Sequence, residues 1–266
     1  MQNAGPHLPA RRNDTPMGME LMSVKNEEPQ DYAPTVPEQQ GYWDERWSRT
    51  PLPNAWQRRR ADAIWKLVSA LPLREPKVLD LGCATGWFTD RLARLGEVGG
   101  IDLSEDAIAQ ARARYPAIRF EAGNVFDMEL PAVQYDVVVA QEVVAHVPDQ
   151  ARFIEIIAHT LKQGGYLVIT AANKRVMERV DFGPDPKEHI KHWLTAGDLK
   201  KLLRPRFAVL RSTSAIPLGD RGFLKVVNSA RLNKLFARFV SQERLDRLKE
   251  WAGLGYSVIV LAQKRA

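Results

Sequence analysis

Lys77-Val-Leu-Asp-Leu-Gly-Cys-Ala-Thr-Gly-Trp-Phe88, followed by Gly99-Gly-Ile-Asp-Leu103, is the stretch of sequence that decides the fold of this chain. Residues 78–81 form a short, mostly apolar run that is typical of a buried strand. The glycines at 82 and 86 predict a tight turn, and apolar residues at 88, 92 and 95 then recur at helical spacing. Residues 98–101 read as a second strand that ends at an acid. The unit is therefore strand, glycine turn, helix and strand.

The turn carries chemistry as well as geometry. In an open parallel sheet the ligand cleft lies beyond the carboxyl ends of the strands. Because Gly82 and Gly86 lack a Cβ atom, a ligand is able to approach their backbone closely. Asp102 is placed to accept two hydrogen bonds from the vicinal hydroxyls of a ribose. Asp80, inside the turn, would repel a pyrophosphate but attract a cationic amino-acid group.

Three interpretations of this turn are compatible with a strand–turn–helix unit. An ordinary strand-to-helix turn with a capping acid is the simplest. A dinucleotide site requires G-x-G-x-x-G with a pyrophosphate at the helix N-terminus, and the third glycine is absent here. S-adenosylmethionine has a ribose for Asp102, an α-ammonium for Asp80 and no phosphate.

At this point the sequence resembles the class I S-adenosylmethionine-dependent methyltransferases. Asp80–Gly86 is similar to the first motif of that family, D-x-G-x-G-x-G, with Ala84 in place of the middle glycine, and Gly100–Ser104 is similar to its ribose-binding strand end. The resemblance implies S-adenosyl-L-methionine as cofactor and a methyltransferase activity. The residues that it assigns to the cofactor are Trp43, Arg60, Asp80, Gly82, Ala84, Gly86, Asp102, Leu103, Asn124, Val125, Phe126 and Gln141.

The rest of the chain alternates strand and helix signals, which predicts an α/β fold with a parallel, doubly wound sheet. Ser104, Asp149 and Thr195 are predicted helix N-caps. The further predicted strands are residues 118–122, 135–141, 166–170, 207–212 and 256–262, and a helix stop is predicted over residues 161–165. The resemblance implies a seven-stranded Rossmann-like sheet of order 3-2-1-4-5-7-6.

Four regions are expected from this pattern. Residues 1–40 read as a disordered tail. Residues 41–75 read as an N-terminal helical lid, whose aromatic cluster around Trp43 either covers the cofactor or anchors the tail. Residues 76–213 and 256–266 form the methyltransferase core. Residues 214–255 read as a basic helical insert that caps the substrate site, with dimerisation and membrane contact as alternatives.

A second motif is found at residues 141–149, Gln-Glu-Val-Val-Ala-His-Val-Pro-Asp. It is similar to the E-x-x-E-H-V-P-D stretch of the ubiquinone-pathway O-methyltransferases, in which two glutamates and the histidine hold a divalent metal. Glu142 and His146 match, but Ala145 replaces the second glutamate, so no metal site is expected. Transfer to a hydroxyl requires a base. The candidate bases are His146, His189 and His192, with Glu188 as a carboxylate able to tune the adjacent imidazole.

Composition limits the partners. Residues 197–266 contain 15 basic and 5 acidic residues, whereas residues 1–196 contain 23 basic and 27 acidic residues. The basic C-terminal quarter is compatible with an anionic acceptor or with a peripheral membrane contact. The chain has one cysteine and no apolar run of membrane-spanning length, which indicates a cytoplasmic protein without internal disulfides. A homodimer remains open.

Methyl transfer to a small-molecule hydroxyl, on a natural product, a sugar or a quinone precursor, is the leading hypothesis. N-methylation of a small amine is the first alternative. A nucleic-acid-directed enzyme is second, although no nucleic-acid partner is expected because no base-reading motif is present. A non-catalytic scaffold and an NAD-dependent dehydrogenase are disfavoured by the intact glycine turn and by the acid within it.

Overall fold

The computed structural model describes residues 34–50, 52–180, 187–188, 190–219, 221–229, 233 and 241–265. Seven strands form one sheet of order β3-β2-β1-β4-β5-β7-β6, as the resemblance implied. All neighbouring strands are parallel except β7, which is antiparallel to both β5 and β6. The strands are β1 (Val78–Leu81), β2 (Val98–Asp102), β3 (Arg119–Ala122), β4 (Tyr135–Gln141), β5 (Leu161–Ala172), β6 (Phe207–Pro217) and β7 (Gly255–Lys264).

Helices cover both faces of this sheet. They are α1 (Val36–Arg49), α2 (Ala55–Val68), α3 (Trp87–Leu92), α4 (Glu105–Arg114), α5 (Gln150–Thr160), α6 (Lys174–Met177), α7 (Ala196–Leu203), α8 (Gly222–Val227) and α9 (Gln242–Trp251), with a 3-10 turn at Val144–His146. Ser104, Asp149 and Thr195 are N-caps, as predicted: each side chain accepts a hydrogen bond from the first turn of its helix. No described helix has the length and apolar character needed to cross a lipid bilayer.

The core has two layers that are separated by the sheet. Val138 and Ala140 of β4 pack with helices α5 and α7 on one face, whereas Val137 and Val139 pack with α2 and α3 on the other. This division follows from the period of two along a strand. It also explains why β4 carries apolar residues at consecutive positions, because a strand covered on both faces has no solvent side.

The boundary between α5 and β5 differs from the sequence prediction. The expected glycine-ended helix stop at residues 161–165 does not occur, because α5 already ends at Thr160 and Leu161 adopts an extended backbone. Residues 161–165 instead belong to β5, where pairing with β4 shifts register between Tyr135 and Val137. Gly164, with φ of 72°, supplies a backbone conformation that this irregularity requires.

The N-terminal boundary also differs. The expected tail extends to residue 40, but α1 begins at Val36, because Thr35 and Glu38 form a reciprocal capping box and Pro37 lies in the first helical turn. Residues 1–33 of that tail lie outside the described part of the chain.

The segment between β6 and β7 begins later than expected, since β6 continues to Pro217. The expected helical character is found in α8 and α9. Apolar residues recur at helical spacing through this segment of the sequence, and those at 232, 235, 236, 239 and 240 lie outside the described residues. The same spacing predicts that Leu248 belongs to the apolar face of α9, but the structure exposes it. Leu248 is 57% exposed and Lys249 is 6% exposed, because the Lys249 ammonium donates to the side-chain oxygens of Asn228 and Asn233.

Candidate active site

The glycine turn lies at the carboxyl edge of β1, at the centre of the sheet. Gly82 and Gly86 both have φ of 75°, a conformation that glycine adopts without steric cost. A Cβ atom at Gly82 would lie 2.2 Å from Val143, and one at Gly86 would lie 2.7 Å from Phe120. Protein packing therefore requires these glycines, in addition to the ligand approach inferred from the sequence. Ala84, in place of the middle glycine of the methyltransferase motif, is held at φ of 48°.

Asp80 is buried at the start of this turn. Its Oδ2 accepts a hydrogen bond from the Thr89 hydroxyl on α3 at 2.7 Å, whereas Oδ1 is buried with no hydrogen-bond partner among the described residues. Burial raises the pKa of Asp80 to about 7; the Thr89 bond opposes this rise and the nearby Asp102 adds to it. A buried carboxylate oxygen without a partner is costly, so this position favours a ligand that supplies a cation.

Asp102 joins the turn to the next helix. Its Oδ2 accepts from the Ala84 backbone N–H at 2.7 Å, and its Oδ1 accepts from the Ser104 backbone N–H at 3.0 Å. Burial raises the pKa of this carboxyl, although both backbone bonds lower it. Each oxygen retains further lone-pair capacity, so the fixed carboxylate is able to accept bonds from a ribose as well. Leu103, which follows, is partly buried.

The segment expected to meet the adenine follows β3. Asn124 donates from its amide to Asp127 at 2.7 Å and accepts from the Phe126 backbone N–H at 3.2 Å, which closes a compact turn. The Phe126 ring packs against Phe153, and the guanidinium of Arg152 lies 5.3 Å from its centroid. Val125 also contacts the core of the sheet.

Glu142 follows β4 directly at the same edge of the sheet and has φ of 58°, which is strained for a non-glycine residue. Its Oε1 accepts from the Thr170 hydroxyl on β5 at 2.8 Å and lies 3.7 Å from Nη1 of Arg60 on α2. The Arg60 side chain is 12% exposed, and its Nε is buried without a partner among the residues described. Gln141, the last residue of β4, is partly buried beside them.

His146 lies one turn beyond Glu142. Its Nδ1 is 3.0 Å from Oε1 of Glu188 and 3.0 Å from the backbone oxygen of Ile190. Both neighbours are acceptors, so the neutral imidazole carries its proton on Nδ1, and Nε2 is the basic nitrogen. No described residue bonds to Nε2. The structure places Glu188 beside His146. The predicted pair of Glu188 with His189 is not tested, because His189 lies outside the described residues.

His192, the third candidate base, has an exposed side chain. Its backbone makes the contacts, because its N–H donates to the Ala145 oxygen at 2.8 Å and its C=O accepts from Gln150 at 3.0 Å. The structure therefore brings His146 to the cleft edge with a fixed tautomer and leaves the His192 imidazole at the surface.

Helix α1 closes over both ends of this site. Asp44 accepts from the Ser104 hydroxyl at 2.6 Å and from the Asp106 backbone N–H at 3.3 Å, beside Asp102. The adjacent Trp43 packs edge-on against the His146 ring, with centroids 5.3 Å apart. A pocket beneath the helix is lined by Gln39, Tyr42, Trp43, His146, Glu188 and Ile190. Both alternatives for the aromatic cluster, a lid over the cofactor and an anchor for the N-terminal segment, remain predictions.

Sequence reasoning missed Asp44 and Tyr256, and it named Glu188 without its contact to His146. Asp44 and Glu188 carry no motif of their own, and their partners lie 60 and 42 positions away in the sequence. Tyr256, at the start of β7, packs against Trp56 of α2 with ring centroids 5.5 Å apart. Burial, together with the nearby Glu142, raises the pKa of its phenol to about 12. The motif at residues 141–149 was the available signal for such neighbours, because a buried carboxylate and a buried imidazole need polar or charged partners.

The two remaining members of the metal-binding motif have separate partners. Glu142 faces Arg60 and Thr170, whereas His146 faces Glu188. Ala145, at the position of the second glutamate, is completely buried. Within the described ranges there is no group of three or more His, Cys, Asp or Glu side chains arranged to hold a metal ion.

Comparison with known proteins identifies the family. Residues 74–215 match a family described as a methyltransferase domain. A probable S-adenosylmethionine-dependent methyltransferase of Mycobacterium tuberculosis is 32% identical over 157 residues, which cover 57% of this chain and 55% of the relative. A ubiquinone biosynthesis O-methyltransferase of Xylella fastidiosa is 34% identical over 144 residues, which cover 50% of this chain and 55% of the relative. The chain thus spans about half the length of these relatives.

A solved structure shares the fold. The crystal structure of an S-adenosylmethionine-dependent methyltransferase from Mesorhizobium loti superposes with a TM-score of 0.55 at 22% identity, covering 76% of this chain and 97% of that one. These matches, the strand order and the glycine turn all lead to one assignment. The chain belongs to the methyltransferase-domain family and has the class I, Rossmann-like fold whose cofactor is S-adenosylmethionine.

Proposed function

We propose that this chain transfers the methyl group of S-adenosylmethionine to a hydroxyl oxygen of a small molecule. The observation that carries the proposal is the His146–Glu188 pair at the cleft edge, in which a carboxylate 3.0 Å from Nδ1 fixes the imidazole with Nε2 as a proton acceptor. An oxygen acceptor needs such a base, whereas a neutral amine needs less help.

The unpartnered polar atoms of the site fit the cofactor. Among the described residues, Asp80 Oδ1 is a buried acceptor without a donor, which suits an α-ammonium group, and Arg60 Nε is a buried donor without an acceptor, which suits an α-carboxylate. Asp102 would accept the ribose hydroxyls, and the segment from Asn124 to Phe126 would border the adenine. The cofactor supplies an activated methyl on a positively charged sulfur, so that the protein mainly aligns the acceptor with it.

His146 would take the proton of the acceptor hydroxyl as the new oxygen–carbon bond forms and the carbon–sulfur bond breaks. The proton moves to Nε2, and Glu188 stabilises the resulting imidazolium through Nδ1–H. The products are the methyl ether, S-adenosylhomocysteine and a proton that His146 later releases to solvent. The lid over the pocket supports a small acceptor, because Tyr42 and Trp43 of α1 lie directly on this edge.

The test measures S-adenosylhomocysteine formation with phenol, sugar and small-amine acceptors. We expect turnover with a hydroxyl acceptor, and we expect His146→Ala to lower kcat about 10²- to 10⁴-fold while the affinity for S-adenosylhomocysteine is kept. His192→Ala is the matched control, because its exposed imidazole should leave kcat unchanged. Turnover of amines alone, with His146→Ala fully active, would favour N-methylation instead.

The same assay tests the role of metal. Because Glu142 and His146 have separate partners and Ala145 carries no ligand, EDTA should leave turnover unchanged. A complete loss that Mg²⁺ or Zn²⁺ restores would refute this expectation.

A further inference from the structure

Three consecutive arginines of α2 occupy three different environments. Arg58 is exposed, and no described residue is hydrogen-bonded to its guanidinium. Arg60 points to the cleft, where it lies 3.7 Å from Glu142. Arg59 points to the helical insert between β6 and β7, so adjacent positions of one helix contact the insert and the proposed cofactor site.

The guanidinium of Arg59 donates several hydrogen bonds to acid side chains of helix α9 in the insert. Its Nε and Nη2 donate to Oε1 of Glu250 at 3.1 and 2.9 Å, and Nη2 also donates to Oδ2 of Asp246 at 3.2 Å. The two acid side chains are only 22% and 19% exposed, for Asp246 and Glu250 respectively. Partial burial lowers the pKa of Arg59, but the charges and hydrogen bonds of Glu250 and Asp246 together outweigh it, and the net pKa lies above its ordinary value. A charged, forked contact of this kind fixes geometry as well as distance.

Glu250 extends this contact into the sheet. Its side chain also accepts from the Ile216 backbone N–H of β6 at 3.3 Å. Its backbone oxygen accepts from the Ser214 hydroxyl at 2.7 Å, and that hydroxyl accepts from the Gly255 backbone N–H at 2.9 Å. Arg59 is thereby connected, through Glu250 and Ser214, to the first residue of β7.

The next residue of β7 brings the chain of contacts back to the cleft. The Tyr256 ring packs on Trp56 of α2, one helical turn before Arg60. The charges of Glu142 and Arg60 both act on its phenol. The insert, α2 and β7 therefore form one connected wall of the site, and Arg59 is the side chain that joins the insert to α2.

We propose that Arg59 is a positioning residue, which docks α9 on α2 and so sets the place of Arg60 and Tyr256 in the cleft. It touches neither cofactor nor acceptor itself. The proposal rests on the role given above to Arg60 at the cofactor carboxylate. It assigns the insert a function in shaping the site.

The test compares Arg58→Ala, Arg59→Ala, Arg59→Lys and Arg60→Ala in the full chain, with S-adenosylhomocysteine binding measured by calorimetry. Arg58→Ala should bind like the wild type. Arg59→Ala should raise Kd by about two- to thirty-fold, the range seen for residues that act through a contact network. Arg59→Lys should recover part of this loss, since a single ammonium reaches Glu250 without the fork.

Hydrogen exchange separates positioning from simple loosening of the fold. Arg59→Ala should accelerate exchange in residues 242–251 and 213–216 and also weaken binding. A faster-exchanging insert with the Kd of Arg58→Ala would overturn the proposal, because the insert would then be attached without affecting the site. Wild-type affinity in Arg60→Ala would overturn the role of Arg60 and the proposal that rests on it. Wild-type affinity in Arg59→Ala with weaker binding in Arg60→Ala would overturn the positioning role of Arg59 alone.

Discussion

Asp102 has a structural task before it meets any ligand. Its two oxygens accept backbone N–H groups from Ala84 and Ser104, so the carboxylate connects the glycine turn to α4 and is held in one orientation. A carboxylate that is fixed in advance loses little entropy when it accepts hydroxyl groups. The cofactor role proposed for it therefore follows from preorganisation as well as from charge.

Replacing Asp102 should reveal this role in binding. Asp102→Ala removes two charge-assisted acceptors, each worth about 1.5–3 kcal/mol, so we expect the Kd for S-adenosylhomocysteine to rise about 100-fold or more. Asp106→Ala, an exposed acid in the first turn of α4, is the control and should bind nearly normally. Calorimetry on folded protein is the measurement, and equal affinities for the two variants would contradict the ribose role.

Among elements, helix α1 has the clearest separable contribution. Asp44 acts as a second cap of α4, because it accepts from the Ser104 hydroxyl and from the Asp106 N–H. Within the described part of the chain, the carboxylate of the adjacent Glu45 pairs with Arg49 and Lys187, whose side chains are 72% and 65% exposed. Asp44 therefore attaches α1 through a buried hydroxyl, whereas Glu45 attaches it through exposed ion pairs. Exposed ion pairs contribute little to stability.

Asp44→Ala should loosen the lid where Glu45→Ala does not. Losing a cap costs about 0.5–2 kcal/mol, so we expect proteolysis within residues 34–50 to become faster and the Kd for S-adenosylhomocysteine to rise several-fold. Glu45→Ala should resemble the wild type in both measurements. If the two variants behave alike, then α1 is an anchor for the N-terminal segment and not a lid.

The elements also show where sequence reasoning succeeds and fails. β4 was predicted at its exact bounds because a strand buried on both faces is a continuous apolar run. The first residues of β5 were missed, since their extended conformation depends on irregular pairing with β4 and not on local propensity. The buried face of α9 was predicted wrongly, because the apolar spacing selects Leu248. In the structure Lys249 is buried instead, since Asn228 and Asn233 supply acceptors for its ammonium.

The candidate site divides in the same way. Asp80, Gly82, Gly86 and Asp102 lie in one strand–turn–helix–strand unit, so their relative positions follow from local sequence alone. The pairing of His146 with Glu188 depends on how the loop after β5 returns to the sheet edge, and residue spacing does not encode that path. The sequence could therefore name Glu188 as a carboxylate partner for an imidazole but not identify His146 as the imidazole beside it.

On the scale of the whole molecule, the buried carboxyl of Asp80 in the proposed site lowers the stability of the ligand-free protein when it is ionised. Asp80 is buried and faces the Thr89 hydroxyl, the Asp102 carboxyl and the Cys83 thiol, and no described cation is bonded to it. Its pKa of about 7 exceeds the value of about 4 expected in the unfolded chain. Between these values the folded state binds more protons than the unfolded state, so the contribution of Asp80 to stability falls as pH rises.

This linkage predicts the pH dependence of unfolding. A carboxyl whose pKa rises from about 4 to about 7 loses roughly 4 kcal/mol of folding free energy across that interval. Asp80→Asn removes the titration, so its free energy of unfolding relative to the wild type should rise between pH 4.5 and pH 8. Saturating S-adenosylhomocysteine should reduce this difference, because its ammonium would stabilise the Asp80 carboxylate. Asp198, whose pKa is lowered by its bonds to Thr195, is the control: its stabilisation is complete above the unfolded pKa of about 4, so the difference between Asp198→Asn and the wild type should stay constant between pH 4.5 and pH 8. Denaturant unfolding at several pH values measures both effects. Parallel curves for the wild type and Asp80→Asn would contradict the raised pKa of Asp80 in the ligand-free protein.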